Sequence, residues 1–417
     1  MGKRYVIIAD SLSNMGGAQM YIRNKMLYLR NQGWSVTITA AKAKNIIIPE
    51  LKEINHIIPE LQYCKYYYRK GIQKRISEKL SKIVADRDYE EIIIESTSIV
   101  QSTWAETVAQ KVGARHIVYL LQERNDVDNQ GLREYFLFKH SRHELVGITT
   151  RTISDMFKPF HPIPDGESYC LSAHCSNVEA DVDCLFLHQI DSNCYDHIVG
   201  ALSRLDKPYV PYVVDDVCNF ASLHQNKKFL LLWIGDAPKD APIISKVKER
   251  VQKNNNVELI ITGYLYPVPT RLLEMCHVII SSSGSSIVSK RSGVPTITYD
   301  GKDFQPIGIL GRTTQNFLFR GEDESPQKLD DILNQILIDK KYTKLPSNYQ
   351  ADLPDFKSHL DFLKEASQRL EYYDMETIKP KSKLEKKVEL GLFLIGPNGY
   401  AELHNLKRRV FSISFFR

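Results

Sequence analysis

Several things are scarce in this chain, and each absence excludes a class of protein. No apolar run approaches the ~20 residues that a membrane-spanning helix needs, so the sequence offers no transmembrane helix. Met1-Gly-Lys-Arg is followed by Tyr5–Asp10, an apolar run too short for a secretory leader and better read as a first strand. The seven cysteines are odd in number and lack paired spacing, so a disulfide framework is excluded and a reducing cytoplasm is the expected home. Cys170, His174, Cys175, Cys184, His188, Cys194 and His197 crowd one window, but without the short C-x-x-C spacing of a tetrahedral zinc site. Scattered buried thiols are the expected account, and no metal site is expected. No segment repeats at a fixed period, which argues against a solenoid.

Charge is also missing from most of the molecule. The whole chain carries +5, yet residues 379–417 hold nine Lys/Arg against three Glu, leaving the other residues at −1. A basic protein of this kind gives no argument for nucleic-acid binding by its body, and nucleic acid is not expected as a partner. The charge concerns whatever the tail touches. The 417 residues, 43% hydrophobic and 25% charged, suit a globular protein of two or three domains.

What is present is a ladder of short apolar runs. Phe229–Ile234, Val257–Thr262, His277–Ile280 and Thr296–Tyr299 are too continuous for strands with one wet face. They suit parallel strands buried on both faces. Between them lie helical runs and turns rich in small residues: Gly235-Asp236, Gly263-Tyr264 and Ser281 to Ser286. Ligands of open parallel sheets bind where the carboxyl ends of strands meet such loops. Small residues there let backbone N–H groups approach a phosphate.

The amino half has the same texture. Strand Arg4–Asp10, loop Ser11–Gly17 and a helix over Ala18–Gln32 open the chain, with Gly33 as the stop. Further strands are expected at Ser35–Ala40, Asn45–Ile48, Glu91–Glu95, His116–Leu121 and Leu145–Thr149. This alternation predicts α/β architecture with βαβ units and doubly wound, Rossmann-like sheets. The polar, Pro-rich Lys158–Tyr169 marks a connector. After it a strand at Ser168–Ser172 or Cys184–Ile190, a helix over Asn193–Leu205 and a strand at Tyr209–Val214 are expected. The expected boundaries are 1–165 for the first domain, 166–355 for the second, 356–378 for a closing helix and 379–417 for a basic aromatic tail.

Ile234-Gly-Asp-Ala-Pro, Ile261-Thr-Gly-Tyr-Leu, Ser292-Gly-Val-Pro-Thr-Ile and the segment Ser11–Ala40 together resemble the GT-B glycosyltransferases. The resemblance is to the retaining, family 4-type (group 1) enzymes of capsule and lipopolysaccharide assembly. It covers roughly the first nine-tenths of the chain and implies two doubly wound Rossmann-like domains facing across a cleft. It implies a hexosyltransferase that takes a nucleotide-diphosphate sugar as co-substrate, with no resident cofactor, and hands the sugar to a polysaccharide or lipid-linked acceptor. It implies that the second domain holds the donor through Gly235, Asp236, Gly263, Tyr264, Ser283, Gly284, Ser285 and Ser286, with Lys290 adding charge. It places Asn14, Gly16 and Gly17 at the interdomain loop beside the acceptor, and a closing helix that crosses back to the first domain. Glu95 and Glu123 end or follow apolar strands and are expected at the ligand-facing rim, with Glu123 as the catalytic candidate.

Two family features are absent at their expected places. Between Ile287 and Gly293 there is no acid where such enzymes carry a glutamate, and Leu187–His197 offers Gln189, Asp191 and His197 instead of the usual Arg and Lys pair. The alternatives are therefore a non-catalytic assembly subunit with a decayed donor site, or a sugar epimerase or pyruvyl transferase on the same scaffold. Finally, Cys64–Arg75 and Leu406–Arg417 both interleave aromatic rings with Lys and Arg. With Lys379–Arg417 as a whole, they are candidates for peripheral attachment to an anionic surface at the inner face of the plasma membrane; for Cys64–Arg75 a solvated helix face with its tyrosines packing inward is the equal alternative.

Overall fold

The computed structural model describes residues 2–414, apart from 55, 123–124, 165–166, 168, 181, 238–242, 350–353, 367–368 and 381, and describes 405–414 as helical backbone only. The chain divides into two compact units. One comprises Met1–Asn14, Tyr21–His174 and Pro354–Arg417; the other comprises Met15–Met20 and Cys175–Leu353. The changeover thus falls at His174, later than the connector suggested, and both the closing segment and the basic tail group with the first unit.

The first unit is built on a parallel five-stranded sheet. Its strands are β1 (Lys3–Ser11), β2 (Ser35–Lys42), β3 (Glu91–Ser96), β4 (Arg115–Leu120) and β5 (Leu145–Gly147), in the order β2-β1-β3-β4-β5. Arg4 through Ala9 are all buried, which is why β1 reads as a continuous apolar run. The helices between strands start and stop where side chains satisfy their free ends. The Asn129 side chain accepts from the N–H groups of Gly131 and Leu132 to open Gln130–Ser141, and Gly113 closes Ile99–Val112 at a φ of 69°. The expected strand at Asn45–Ile48 is not one. Only an isolated bridge joins Ile46 to Asn14, and Pro49, lacking an N–H, opens a short 3-10 turn instead.

The second unit carries a two-stranded pair, β6 (Val178–Glu179) with β10 (Val268–Pro269), and a six-stranded sheet. The sheet's strands are β7 (His197–Leu202), β8 (Phe229–Ile234), β9 (Val257–Ile261), β11 (Val278–Ser281), β12 (Thr296–Tyr299) and β13 (Pro306–Ile309), in the order β13-β12-β11-β7-β8-β9. All are parallel except β13. Here the structure corrects the sequence reading over residues 193–214. The expected helix contains strand β7, and the expected strand at Tyr209–Val214 is the start of the helix Val210–Leu223. His197–Leu202 lies between β11 and β8 and is covered on both faces, so it shows no alternation. Val210, Val213, Val214, Val217, Cys218 and Ala221 are buried at helical spacing, and that period overrides the β-preference of the valines. Cys184–Ile190, a second strand candidate, is the short helix Leu185–Gln189.

The closing segment of the first unit begins with the helix Lys357–Glu365 and ends with a helical stretch, Lys383–Ser414, broken at Gly396. Among the described residues no helix is long and apolar enough to cross a membrane.

Candidate functional site

The carboxyl ends of β11, β7, β8 and β9 lie side by side along one rim of the second sheet, and the loops that leave them are tied together. Ser281 Oγ donates to the Leu202 carbonyl at 2.8 Å, and Trp233 Nε1 donates to the Ser203 carbonyl at 2.9 Å. The Leu205 amide reaches the Asp236 carbonyl at 2.9 Å, and Gly235 forms a bridge with Gly263. Gly235 has a φ of 147°, and a Cβ there would lie 2.1 Å from the Ser203 carbonyl oxygen. Only glycine fits, because any side chain would drive the β7 and β8 loops apart. Gly263, at a φ of 72°, is the second left-handed turn of the rim.

This rim holds a cationic feature that sequence reasoning missed. Since β7 is the strand that opens the large sheet, the residues after it are Ser203-Arg204-Leu205-Asp206-Lys207, an Arg and a Lys together. The apparent absence of the pair came from searching Leu187–His197, which precedes the strand. The signal was available: Ser203–Lys207 follows an apolar run just as the Gly235 and Gly263 turns do. Arg204 Nε lies 3.1 Å from Asp206 Oδ1. Arg204 and Asp236 also act electrostatically on Tyr264, whose phenol is held above its usual range, chiefly by burial. The Tyr264 hydroxyl is enclosed and has no hydrogen-bond partner among the described residues. Asp236 uses Oδ1 to accept from the Ala237 amide at 2.7 Å, which fixes the turn.

The Ser/Gly loop is more internally committed than its composition suggested. Ser282 Oγ donates to the Tyr299 carbonyl, and the buried Ser286 donates to Thr298 Oγ1 at 3.2 Å. Ser286 is therefore a strut between the loop and β12, and its hydroxyl is not presented outward. Ser283 sits at a φ of 59° and its amide donates to the Phe317 carbonyl at 2.7 Å. Such a conformation costs a non-glycine residue about 1–3 kcal/mol. Gly284 and Ser285 are half-buried. The helix starts at Gly284, not Ile287, so Lys290 is its last residue and not part of a first turn. The Lys290 side chain covers Gly311, where a Cβ would meet its Cε at 2.4 Å. Lys290 therefore lies at the far end of that helix from the Ser/Gly loop.

Of the glycine loop expected beside the acceptor, Asn14 takes the left-handed turn at a φ of 59° and its amide bonds to the Asn45 carbonyl. Gly16 and Gly17 group with the second unit, where Cys175 Sγ lies 3.7 Å from the Cβ position of Gly17 and 3.0 Å from that of Gly284. The two glycine-bearing loops therefore share a neighbour. Their small size is a packing requirement.

Glu95 is corrected outright. It was expected at the rim, but it is 1% exposed, facing Ile7 in the β1 register. Tyr5 and Tyr21 hydroxyls each donate to it at 2.6 Å, and Lys25 is its buried ion partner. Lys25 also approaches His359 Nδ1 at 3.2 Å, while His359 Nε2 donates to the Ser172 carbonyl at 2.8 Å. Three hydrogen-bonding partners, Tyr5, Tyr21 and Lys25, surround the buried Glu95 carboxylate and leave it no role toward a ligand. Glu123 lies outside the described residues.

A second buried network has the outline of a hydrolytic relay. Ser96 Oγ is 2.9 Å from His116 Nε2, and His116 Nδ1 is 2.7 Å from Glu106 Oε2. All three are at most 2% exposed, and Lys139 closes the far side against Glu106 and Glu144. A nucleophile without access does no chemistry, so the network is structural. Glu106, beside Lys139 and His116, is held at about 2 despite its burial.

The zinc window is spread out in the same way. Cys170 and Cys194 are exposed, His188 pairs with Asp183 at 2.7 Å, and His197 lies on β7. Among the described residues no three His, Cys, Asp or Glu side chains converge to hold a metal. For Cys64–Arg75, surface attachment and inward-packing tyrosines were equal expectations, and the structure shows the second. Tyr66 and Tyr68 are buried in the first unit's core, and Lys65, 4% exposed, pairs with Glu376. The rings pack inward because each lies over an apolar helix face, Tyr68 against Trp104 at 5.7 Å. They do not form a surface belt.

No protein-family model matches the chain, and no curated protein matches it either. Solved structures do. The Anabaena protein HepE, solved with UDP and glucose, is 12% identical at a TM-score of 0.56, covering 87% of this chain and 95% of that one. A glycosyltransferase from Rickettsia africae ESF-5 is 13% identical at 0.58, covering 88% and 99%. Sucrose-phosphate synthase from Thermosynechococcus elongatus is 11% identical at 0.51, covering 98% and 100%. The shared architecture is the GT-B one, built from two Rossmann-like α/β domains.

Proposed function

We propose that the chain is a glycosyltransferase that moves a sugar from a nucleotide-diphosphate sugar to a surface-polysaccharide or lipid-linked glycan. The observation that carries this is the rim of the second sheet, where the half-buried, side-chain-free turns at Gly235 and Gly263 share the carboxyl ends of adjacent strands with Arg204 and Lys207. HepE, with the same fold, was solved with UDP and glucose. In this reading Arg204 and Lys207 neutralise the diphosphate, each charge-assisted hydrogen bond contributing about 1.5–3 kcal/mol. Gly235, Gly263, Gly284 and Ser285 let the donor approach the backbone, and the enclosed Tyr264 hydroxyl supplies a further bond. Asp236 holds its turn in shape. Gly16 and Gly17 stand by the acceptor. Rate comes from positioning and from stabilising the leaving diphosphate. The nucleotide sugar is a co-substrate, and retaining, hexosyl chemistry is what the family resemblance supports.

One observation favours a second reading. Val288 and Ser289, near where related enzymes carry a carboxylate, are buried, so no acid reaches the sugar from that turn. A non-catalytic assembly subunit would share this feature. Isothermal titration with UDP-, GDP- and CMP-sugars separates the two. Binding followed by nucleotide release on adding acceptor supports transfer. Silence toward the whole panel supports the subunit.

A further inference from the structure

The outer face of the C-terminal helical hairpin carries a feature that sugar transfer does not use. Gly396 breaks Lys383–Ser414 at a φ of 68°, and Pro397 starts the second arm with no N–H to satisfy. In a straight helix residues 391 and 400 would be about 13 Å apart along the axis. Instead, the Tyr400 ring lies where a Cβ of Gly391 would be, at 2.3 Å, so the arms fold back on each other. The inner side is anchored: Leu392 is buried, Tyr400 packs edge-on against Tyr63 at 5.7 Å, and Arg69 lies over Phe393. The outer side is not covered by any described residue. Leu384, Leu390, Leu394, Ile395 and Leu403 are 49–71% exposed, and they are five of the thirteen large hydrophobics exposed among the described residues. Lys383, Lys386 and Lys387 are exposed on the same arm.

We infer that this face lies on an anionic lipid bilayer, its leucines at headgroup depth and its lysines among the phosphates. Charge selects this occupant. Residues 379–417 carry +6 on a body of −1, so a second copy would set like charge against like, whereas an acidic lipid surface complements it. The stretch is not apolar enough to span, which fits a helix lying in the interface plane. The inference relocates the membrane contact from the buried tyrosines of Cys64–Arg75 to the hairpin. It holds whether or not a nucleotide sugar binds.

Flotation of the full chain with phosphatidylcholine vesicles, with and without phosphatidylglycerol, tests it. The protein should float only with the anionic vesicles, and less so at high salt. Leu390→Glu/Leu394→Glu should weaken partitioning at least about tenfold. Lys383→Glu/Lys386→Glu/Lys387→Glu should weaken it by at least about fivefold per residue. Circular dichroism confirms that each variant is folded, and Leu394→Ser serves if the double variant is not. Failure of the wild type to float, variants that float equally well, or a dimer in light scattering that Leu394→Glu disperses would each overturn it. A failed nucleotide panel with intact flotation would overturn only the transfer proposal.

Discussion

The two units solve the same folding problem with different interiors. Both are parallel α/β sheets covered by helices, yet every buried Lys, Arg, Glu and His among the described residues lies in the first unit. There Lys25 meets Glu95, while Glu106, His116, Lys139 and Glu144 interlock. Among the described residues, the second unit's buried polar groups are hydroxyls such as Ser281, Ser286 and Thr298, with Asp300 as the one buried charge. Its Arg and Lys at the rim are half-exposed. Charge in the first unit is consumed by the fold, whereas charge in the second remains at the edge where a ligand can use it. A buried ion pair is a poor route to stability but tolerates little change once made, because either partner left alone is a buried uncompensated charge.

That contrast can be broken most forcefully in the first unit. Lys25→Met should destabilise it by about 3–5 kcal/mol in urea unfolding, since it leaves the buried Glu95 carboxylate without its cation and Tyr21 without the Lys25 donor. Adding Glu95→Gln should restore part of the loss. If both single changes were neutral, the charges would not be structural at all. In the second unit Gly235→Ala should cost about 2–3 kcal/mol through the clash with Ser203, and donor binding should vanish with it. Arg204→Ala, in contrast, should leave unfolding within about 0.5 kcal/mol. It should weaken nucleotide-sugar binding by about 1.5–3 kcal/mol, or ten- to a hundredfold. An equal loss of stability and binding would show that the rim is as structural as the first unit's networks.

Acid sharpens the comparison further. Burial, and then the Lys25 charge, hold His359 at about 2, and burial with Lys139 lowers His116. Both imidazoles are therefore neutral in the fold. Their unfolded counterparts protonate near ~6.5. Stability from these two groups is complete above that pH and falls as pH drops below it, for His359 by about 1.4 kcal/mol per pH unit. His359→Asn should flatten the slope by one proton, as followed by thermal midpoints from pH 7 to 5. The smallest effect concerns thiols. Burial pushes Cys64 and Cys276 up to about 12, so alkylation at neutral pH should mark the exposed Cys170 and Cys194 first and spare those two.

Much of this molecule was legible in its residues, and the failures have identifiable causes. Continuous apolar runs located β1, β3, β4, β8, β9, β11 and β12 to within a residue or two, since parallel strands covered on both faces leave that trace. The glycine turns were placed correctly because a left-handed φ demands glycine locally. His197–Leu202 and Val210–Leu223 were exchanged because valines favour strands on average, and the four-residue period that identifies the helix was outweighed. That error hid Arg204 and Lys207. Ser286 and Lys290 fit the chemistry of a phosphate loop, but composition says nothing about which hydroxyl is already donating to β12 or which way a lysine lies.

By itself, then, the sequence determined that alternating strands and helices would form parallel sheets, and that small residues would occupy the turns of the second sheet. Those properties depend on neighbours within a few positions. Only the tertiary structure decided which charges remain available. Glu95 meets its partners from β1, the first helix and, through Lys25, the closing segment, while β7 becomes a rim strand only by lying between β11 and β8. Such pairings join residues tens to hundreds of positions apart, and no local pattern records them.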